Sequence, residues 1–125
     1  MHYSELDVFQ KSHNLVLKIY KVTNNFPDDE KYRMINQMIR AAYSIPANIV
    51  EGNSRNTTKD YIRFLYNSRG SLNELNYFLL LSKDLNYISI DVYDNLIIET
   101  NEIGRMLNGL IKSLKDKDKK DLKSL

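Results

Sequence analysis

Apolar residues recur along this chain at steps of three and four, and no segment of useful length alternates with the period of a strand. The first run places Leu6, Phe9, His13, Val16, Tyr20 and Thr23 on one helical face and Val8, Leu15, Ile19, Val22 and Phe26 on the face beside it. Asp7, Lys11, Asn14, Lys18, Lys21 and Asn25 make the wet stripe that remains. Pro27 stops this helix, because it disfavours helical geometry at Phe26 and has no N–H to donate. Asp28, Asp29 and Glu30 suit the positive end of a second helix, whose stripe runs Tyr32, Ile35, Ile39, Ala42, Ile45 and Ile49, straight through Pro46, to a stop at Gly52. Thr57 with Asp60 resembles a capping box opening a third helix, which carries Tyr61, Phe64, Leu65, Leu72, Leu75, Phe78, Leu79 and Leu85 to an Asn86 cap. Ser89 caps a fourth, with Leu96, Ile97, Ile103, Leu107, Leu110, Ile111 and Leu114 on its buried side. Four helices joined by short loops predict an all-α fold, an antiparallel up-down-up-down four-helix bundle.

The first helix has apolar residues on two adjacent faces, and a four-helix monomer needs only one. The surplus, at Leu15, Ile19, Val22 and Phe26, is expected to face a neighbouring subunit. Residues 1–115 are read as the bundle domain and residues 116–125 as a Lys/Asp-rich tail, frayed or disordered. The 125 residues carry a net charge of +2. Six Lys and three Asp fall between Lys112 and Lys123, leaving twelve basic and thirteen acidic residues elsewhere, so the basic balance belongs to the tail. No Cys occurs and His2 and His13 are the only histidines, so disulfides, thiolate metal sites and a zinc cluster are not expected. No cofactor is expected either. A polar, acidic N-terminus and the absence of a long apolar run predict a soluble, cytoplasmic protein.

Along the second helix Arg33, Gln37, Arg40, Ser44, Asn48, Glu51 and Arg55 fall at steps of four, three, four, four, three and four, a single polar stripe. It faces either solvent or another helix or subunit through hydrogen bonds. Pro46 removes one backbone bond at a cost of about 3 kcal/mol, which packing should offset. Ser68, Gly70 and Ser71 in the third helix, with Ala41 and Ala42 in the second, predict a close approach of the two, with Glu74 within reach of basic residues. On that reading Gly70→Leu costs more than about 1 kcal/mol.

These residues resemble a known family, the bacterial four-helix bundle proteins called 23S rRNA intervening-sequence proteins. The resemblance spans nearly the whole chain and centres on "QMIRAAYSIPANIVEG" followed by "GSLNEL", which hold Gln37, Arg40, Ser44, Pro46, Asn48, Glu51, Gly52, Gly70, Ser71 and Glu74. It implies a homopentameric, barrel-like ring of bundles, and a similarity to the accessory variability determinant proteins of diversity-generating retroelements, basic pentamers that bind nucleic acid and a reverse transcriptase.

An enzyme reading would use Asn48, Glu51 and Arg55, with Asp60, but one carboxylate without a base, a second convergent acid or a nucleophile lacks the pairing such chemistry needs. Gly52 stands alone without a phosphate-loop fingerprint. His13 falls on the apolar stripe of the first helix and is expected to be a partly buried packing residue, and Tyr20, Tyr32 and Tyr61, also on apolar stripes, are expected in the core or an interface. The expected function is therefore non-enzymatic binding of nucleic acid, chiefly structured RNA, through basic patches repeated around a ring. The patches are Lys11, Lys18 and Lys21 on the first helix and Arg55, Lys59 and Arg63 at the start of the third. The alternative is a scaffold whose ring displays a groove for a protein partner, a reverse-transcriptase-like polypeptide among the candidates. A continuous basic band favours the first; mixed charge favours the second.

Overall fold

The computed structural model describes residues 1–124; Leu125, the end of the predicted tail, lies outside the described residues. The architecture is all-α. Four helices, α1 (Asp7–Thr23), α2 (Met34–Asn53), α3 (Thr58–Asp84) and α4 (Ile90–Lys123), are accompanied by 3-10 turns at Tyr3–Glu5 and Asp28–Glu30. Among the described residues there is no strand, and no helix is long and apolar enough to cross a membrane.

One core joins all four helices. Leu15 and Ile19 of α1, Met38, Ala42, Ile45 and Ile49 of α2, Leu65, Leu75 and Leu79 of α3 and Leu107 of α4 have no exposed surface at all. This corrects the intersubunit assignment of the first helix: Leu15 and Ile19 are enclosed by the chain's own helices, Phe26 is buried against Tyr87, and Val22 is half-buried. The two apolar faces of α1 are both used because α1 wedges between α2 and α4. What α1 leaves outside is Leu17 and Tyr20, each about half exposed.

Helix ends follow local chemistry at three places. Thr57 accepts a bond from the Asp60 N–H at 3.1 Å and Ser89 one from the Val92 N–H at 3.1 Å, satisfying first-turn donors of α3 and α4. Asn86 takes the left-handed conformation, φ 61°, and the Tyr87 N–H then reaches back 2.9 Å to the Ser82 carbonyl. Elsewhere the sequence reading is corrected. Asp28, Asp29 and Glu30 form their own 3-10 turn, fixed by the Arg33 guanidinium against the buried Glu30 carboxylate, and α2 begins only at Met34. Tyr32 therefore precedes the helix and is 84% exposed instead of packed. His13 is exposed and lies 6.0 Å from Phe9, ring centroid to centroid, in a stacked pair. The Lys/Asp tail is not frayed: α4 continues as helix to Lys123.

α2 passes through Pro46 without interruption, and the proline ring is buried. One residue earlier, the Ile45 carbonyl accepts a bond from the Ser68 hydroxyl of α3 at 2.8 Å, and Ser68 is completely buried. One turn along α3 the Ser71 hydroxyl donates to Oγ of Ser44, the residue before Ile45, at 2.9 Å, and Asn48 Nδ2 donates to the Ser44 carbonyl at 2.7 Å. The close approach of α2 and α3 is thus made by serines. Gly70, expected at that contact, is exposed, with nothing within 4 Å of where its Cβ would be. The tight glycine is Gly52. A Cβ there would meet Phe64 Cβ and Tyr61 Cδ1 at 2.9 Å, so Gly52 sits inside the last turn of α2 to let α3 approach, not beyond the helix to stop it.

Candidate nucleic-acid interface

The polar stripe of α2 divides into two environments. Ser44, Asn48 and Ser71 are half-buried in the hydrogen-bonded seam just described. Gln37, Arg40, Glu51 and Arg55 are exposed. Gln37, Arg40, Ser44, Ser71 and Glu74 line a groove of about 270 Å³ between α2 and α3. Glu74 and Arg40 share this groove, but among the described residues neither has an ion-pair partner within 4.0 Å.

The six expected phosphate-binding cations do not converge. Lys11, Lys18 and Lys21 lie on the α1 and α4 seam, where with Asn14, Leu17 and Ile103 they line a groove of about 660 Å³. Two acids of α4 share it. Lys11 Nζ is 2.9 Å from Glu102 and Lys18 Nζ is 2.5 Å from Glu99, so this face carries mixed charge and not a basic band. The hydrogen bond and attraction of Glu102 raise the Lys11 ammonium above its ordinary 10.5. Its contribution is therefore present throughout the neutral range and is lost only as pH rises through that raised value.

Arg55, Lys59 and Arg63 gather at the other seam, where α2 turns into α3. Gly52 permits this corner by bringing Phe64 onto α2. The Arg55 and Arg63 guanidiniums both lie over the Phe64 ring, 4.6 and 4.5 Å from its centre, an attraction worth about 0.5–1 kcal/mol each at exposed sites. Each also has a carboxylate within a turn: Glu51 Oε2 at 3.2 Å from Arg55 and Asp60 Oδ1 at 3.6 Å from Arg63. All four of these charged groups are more than 40% exposed, so the pairs are weak and the guanidinium donors remain accessible to an anion. Lys59 is exposed and, among the described residues, has no carboxylate within 4.0 Å.

A further basic cluster was not singled out in the sequence. On α3 the Arg69 guanidinium lies 4.6 Å over the Tyr66 ring and donates to Asn108 Oδ1 of α4 at 3.1 Å, and Lys115 Nζ lies 5.1 Å from the same ring. The available signal was the spacing of Tyr66 and Arg69, one turn apart on α3, but their meeting with α4 is a tertiary fact.

Residues 4–109 match the 23S rRNA-intervening sequence protein family. The chain belongs to that family. Its fold is similar to that of a crystallised protein of unknown function from the S23 ribosomal protein family of Bacteroides thetaiotaomicron, at 30% identity and a TM-score of 0.76 over 84% of this chain and 98% of that one. Among curated proteins none matches this chain. Within the family's span lie both seams, the Phe64 corner and Gly52; Lys112 and Lys115 lie beyond it.

Proposed function

We propose that this family member is a non-enzymatic, cytoplasmic RNA-binding protein, an up-down-up-down bundle that assembles into a ring of five and presents one basic corner per subunit. The observation that carries the reading is the pair of guanidiniums, Arg55 and Arg63, held over one aromatic ring beside the exposed Lys59. Two oriented forks and an ammonium suit phosphate oxygens, and the partner in this reading is a structured RNA held chiefly through its backbone. Five weak copies bind by avidity. The up-down order is supported by contacts that run in opposite senses, Ser71 to Ser44 with Ser82 to Met38, and Lys11 to Glu102 with Lys18 to Glu99. Self-association is supported by the exposed Leu17, Tyr20 and Ile98 on the outer side of α1 and α4, while the count of five and the likeness to the retroelement proteins rest on the sequence resemblance alone.

An RNA hairpin titrated between 50 and 200 mM salt tests this. Affinity should fall steeply with salt. Changing Arg55, Lys59 and Arg63 together to Gln should weaken binding about tenfold or more, while Lys11→Gln with Lys18→Gln leaves it nearly unchanged, because those ammonium groups already hold carboxylates. No binding by the intact protein at 50 mM salt would end the RNA reading. The mixed charge and apolar floor of the α1 and α4 groove favour a second reading in that event, a scaffold for a partner polypeptide.

A further inference from the structure

α4 outruns the bundle. At 1.5 Å per residue its 34 residues reach about 51 Å against about 40 Å for the 27 of α3. Its last buried residue is Ile111, and from Lys112 to Ser124 every residue except Leu114 and Asp118 is exposed. The final third is therefore a helical arm that begins just past the family's span, which closes at residue 109.

The arm's cations are arranged by face. Lys112, Lys115, Lys119 and Lys123 follow one another at steps of three, four and four, the spacing of a single helical stripe, and Arg105 lies on the same side two turns before Lys112. Lys120 flanks the stripe on one side and Asp118, three residues from Lys115, on the other; Asp116 is the one carboxylate within it, and Asp121 falls opposite. Among the described residues none of these cations, and not Arg69, has a carboxylate within 4.0 Å, whereas four of the six cations on the other two seams do. At its inner end the stripe is fastened to α3: Lys115 and Arg69 share the Tyr66 ring, and Arg69 is also held by Asn108. Tyr66 is half-buried beneath them, so it orients the charges and offers no open face on which a base could stack.

We infer that Arg69, Arg105, Lys112, Lys115, Lys119 and Lys123 form a straight track for the phosphodiester backbone of a structured RNA. The inference rests on the RNA reading above and adds to it a second, stronger contact surface outside the Phe64 corner. From Arg105 to Lys123 the track is about 27 Å long, enough to follow several successive phosphates. Neutralising about six of them corresponds to a log-log salt slope of about −4 to −5.

Two RNA hairpins of unrelated sequence, measured by anisotropy against the intact protein from 50 to 200 mM salt, provide the test. Changing Lys112, Lys115, Lys119 and Lys123 to Gln should weaken binding at least tenfold and flatten the slope by about 3, with helical content unchanged because all four are exposed. A second variant keeps the composition and moves charge off the stripe: Lys119→Asp with Asp121→Lys, and Lys123→Ser with Ser124→Lys. It should lose most of the same affinity. If this rearranged arm binds as the natural one does, the arm is only a polycation and the track is wrong. If the Gln variant of the arm binds normally while the Phe64 corner variant does not, the track fails and the corner reading stands. Binding of poly-glutamate as tight as RNA, a preference above tenfold for one hairpin, or no binding of either hairpin at 50 mM salt overturns the track as well.

Discussion

At the scale of single residues, the two informative glycines exchange the roles their positions suggest. Gly70 stands mid-helix among small residues, which reads as a packing contact, yet its Cβ position is open. Gly70→Ala should therefore stabilise the chain by about 0.5–1 kcal/mol, the helix-propensity gain with no steric cost. Gly52 resembles a helix stop but is a close approach. A methyl 2.9 Å from Phe64 Cβ and 3.2 Å from the Tyr61 carbonyl presses on atoms tied to the α3 backbone, which cannot swing aside. Gly52→Ala should cost about 1–3 kcal/mol, lowering the thermal midpoint by several degrees, and should also displace Phe64 and with it Arg55 and Arg63. Thermal unfolding followed by circular dichroism measures both. A stabilised Gly52→Ala would mean that α3 moves away without penalty.

At the scale of helices, two serines of α3 add hydrogen bonds to the apolar contact with α2 beside Pro46, at the Ile45 carbonyl and at Ser44 Oγ. Ser68→Ala removes the only hydroxyl bonded to the Ile45 carbonyl within the described residues and should cost about 1 kcal/mol, with Ser71→Ala costing less because Ser44 keeps its Asn48 partner. Chemical denaturation reads both; equal and negligible effects would leave α2 and α3 held by apolar packing alone. Much of this level was legible in the sequence. Thr57, Ser89 and Asn86 mark helix ends by interactions confined to three or four neighbouring residues, and the core stripes follow from period. The rest was not legible, for reasons of geometry. Whether Asp28, Asp29 and Glu30 begin a helix or a separate turn depends on Arg33, whose backbone leaves helical geometry before Met34. That Lys11 and Lys18 are paired is decided by Glu102 and Glu99 on a helix about eighty to ninety residues away along the chain, and a Lys/Asp run has the same composition frayed or helical. The candidate site was thus half visible: Arg55, Lys59 and Arg63 were placed together by spacing, whereas the ring beneath the two arginines and the Tyr66 anchor required the fold.

At the scale of the whole molecule, the enclosure of Leu15 and Ile19 changes what a test of assembly should perturb. Leu15 has no exposed surface, so Leu15→Asp buries an unpaired carboxylate among the residues that join α1, α2 and α4, and the chain should unfold whether or not it is part of a ring. Leu17 lies two residues on, on the outer side of α1, 53% exposed, beside the groove that Lys11, Lys18, Glu99 and Glu102 share. Leu17→Asp replaces apolar surface by charge where water already reaches, which for a monomer is worth less than about 0.5 kcal/mol in either direction. In a ring that covers this side of α1 the same carboxylate would lose its water beside Glu99 and Glu102 and weaken every joint, and the effect would repeat at each subunit. Light scattering after gel filtration, with helical content measured on the same fractions, should therefore give a large species for the natural chain and a folded monomer for Leu17→Asp. A natural chain that is itself monomeric at micromolar concentration would remove the ring, and with it the avidity on which weak corners depend. A Leu17→Asp chain that is folded and still assembled would keep the ring but move its interface off α1, and Ile98→Asp on α4, 63% exposed, would then be the discriminating substitution.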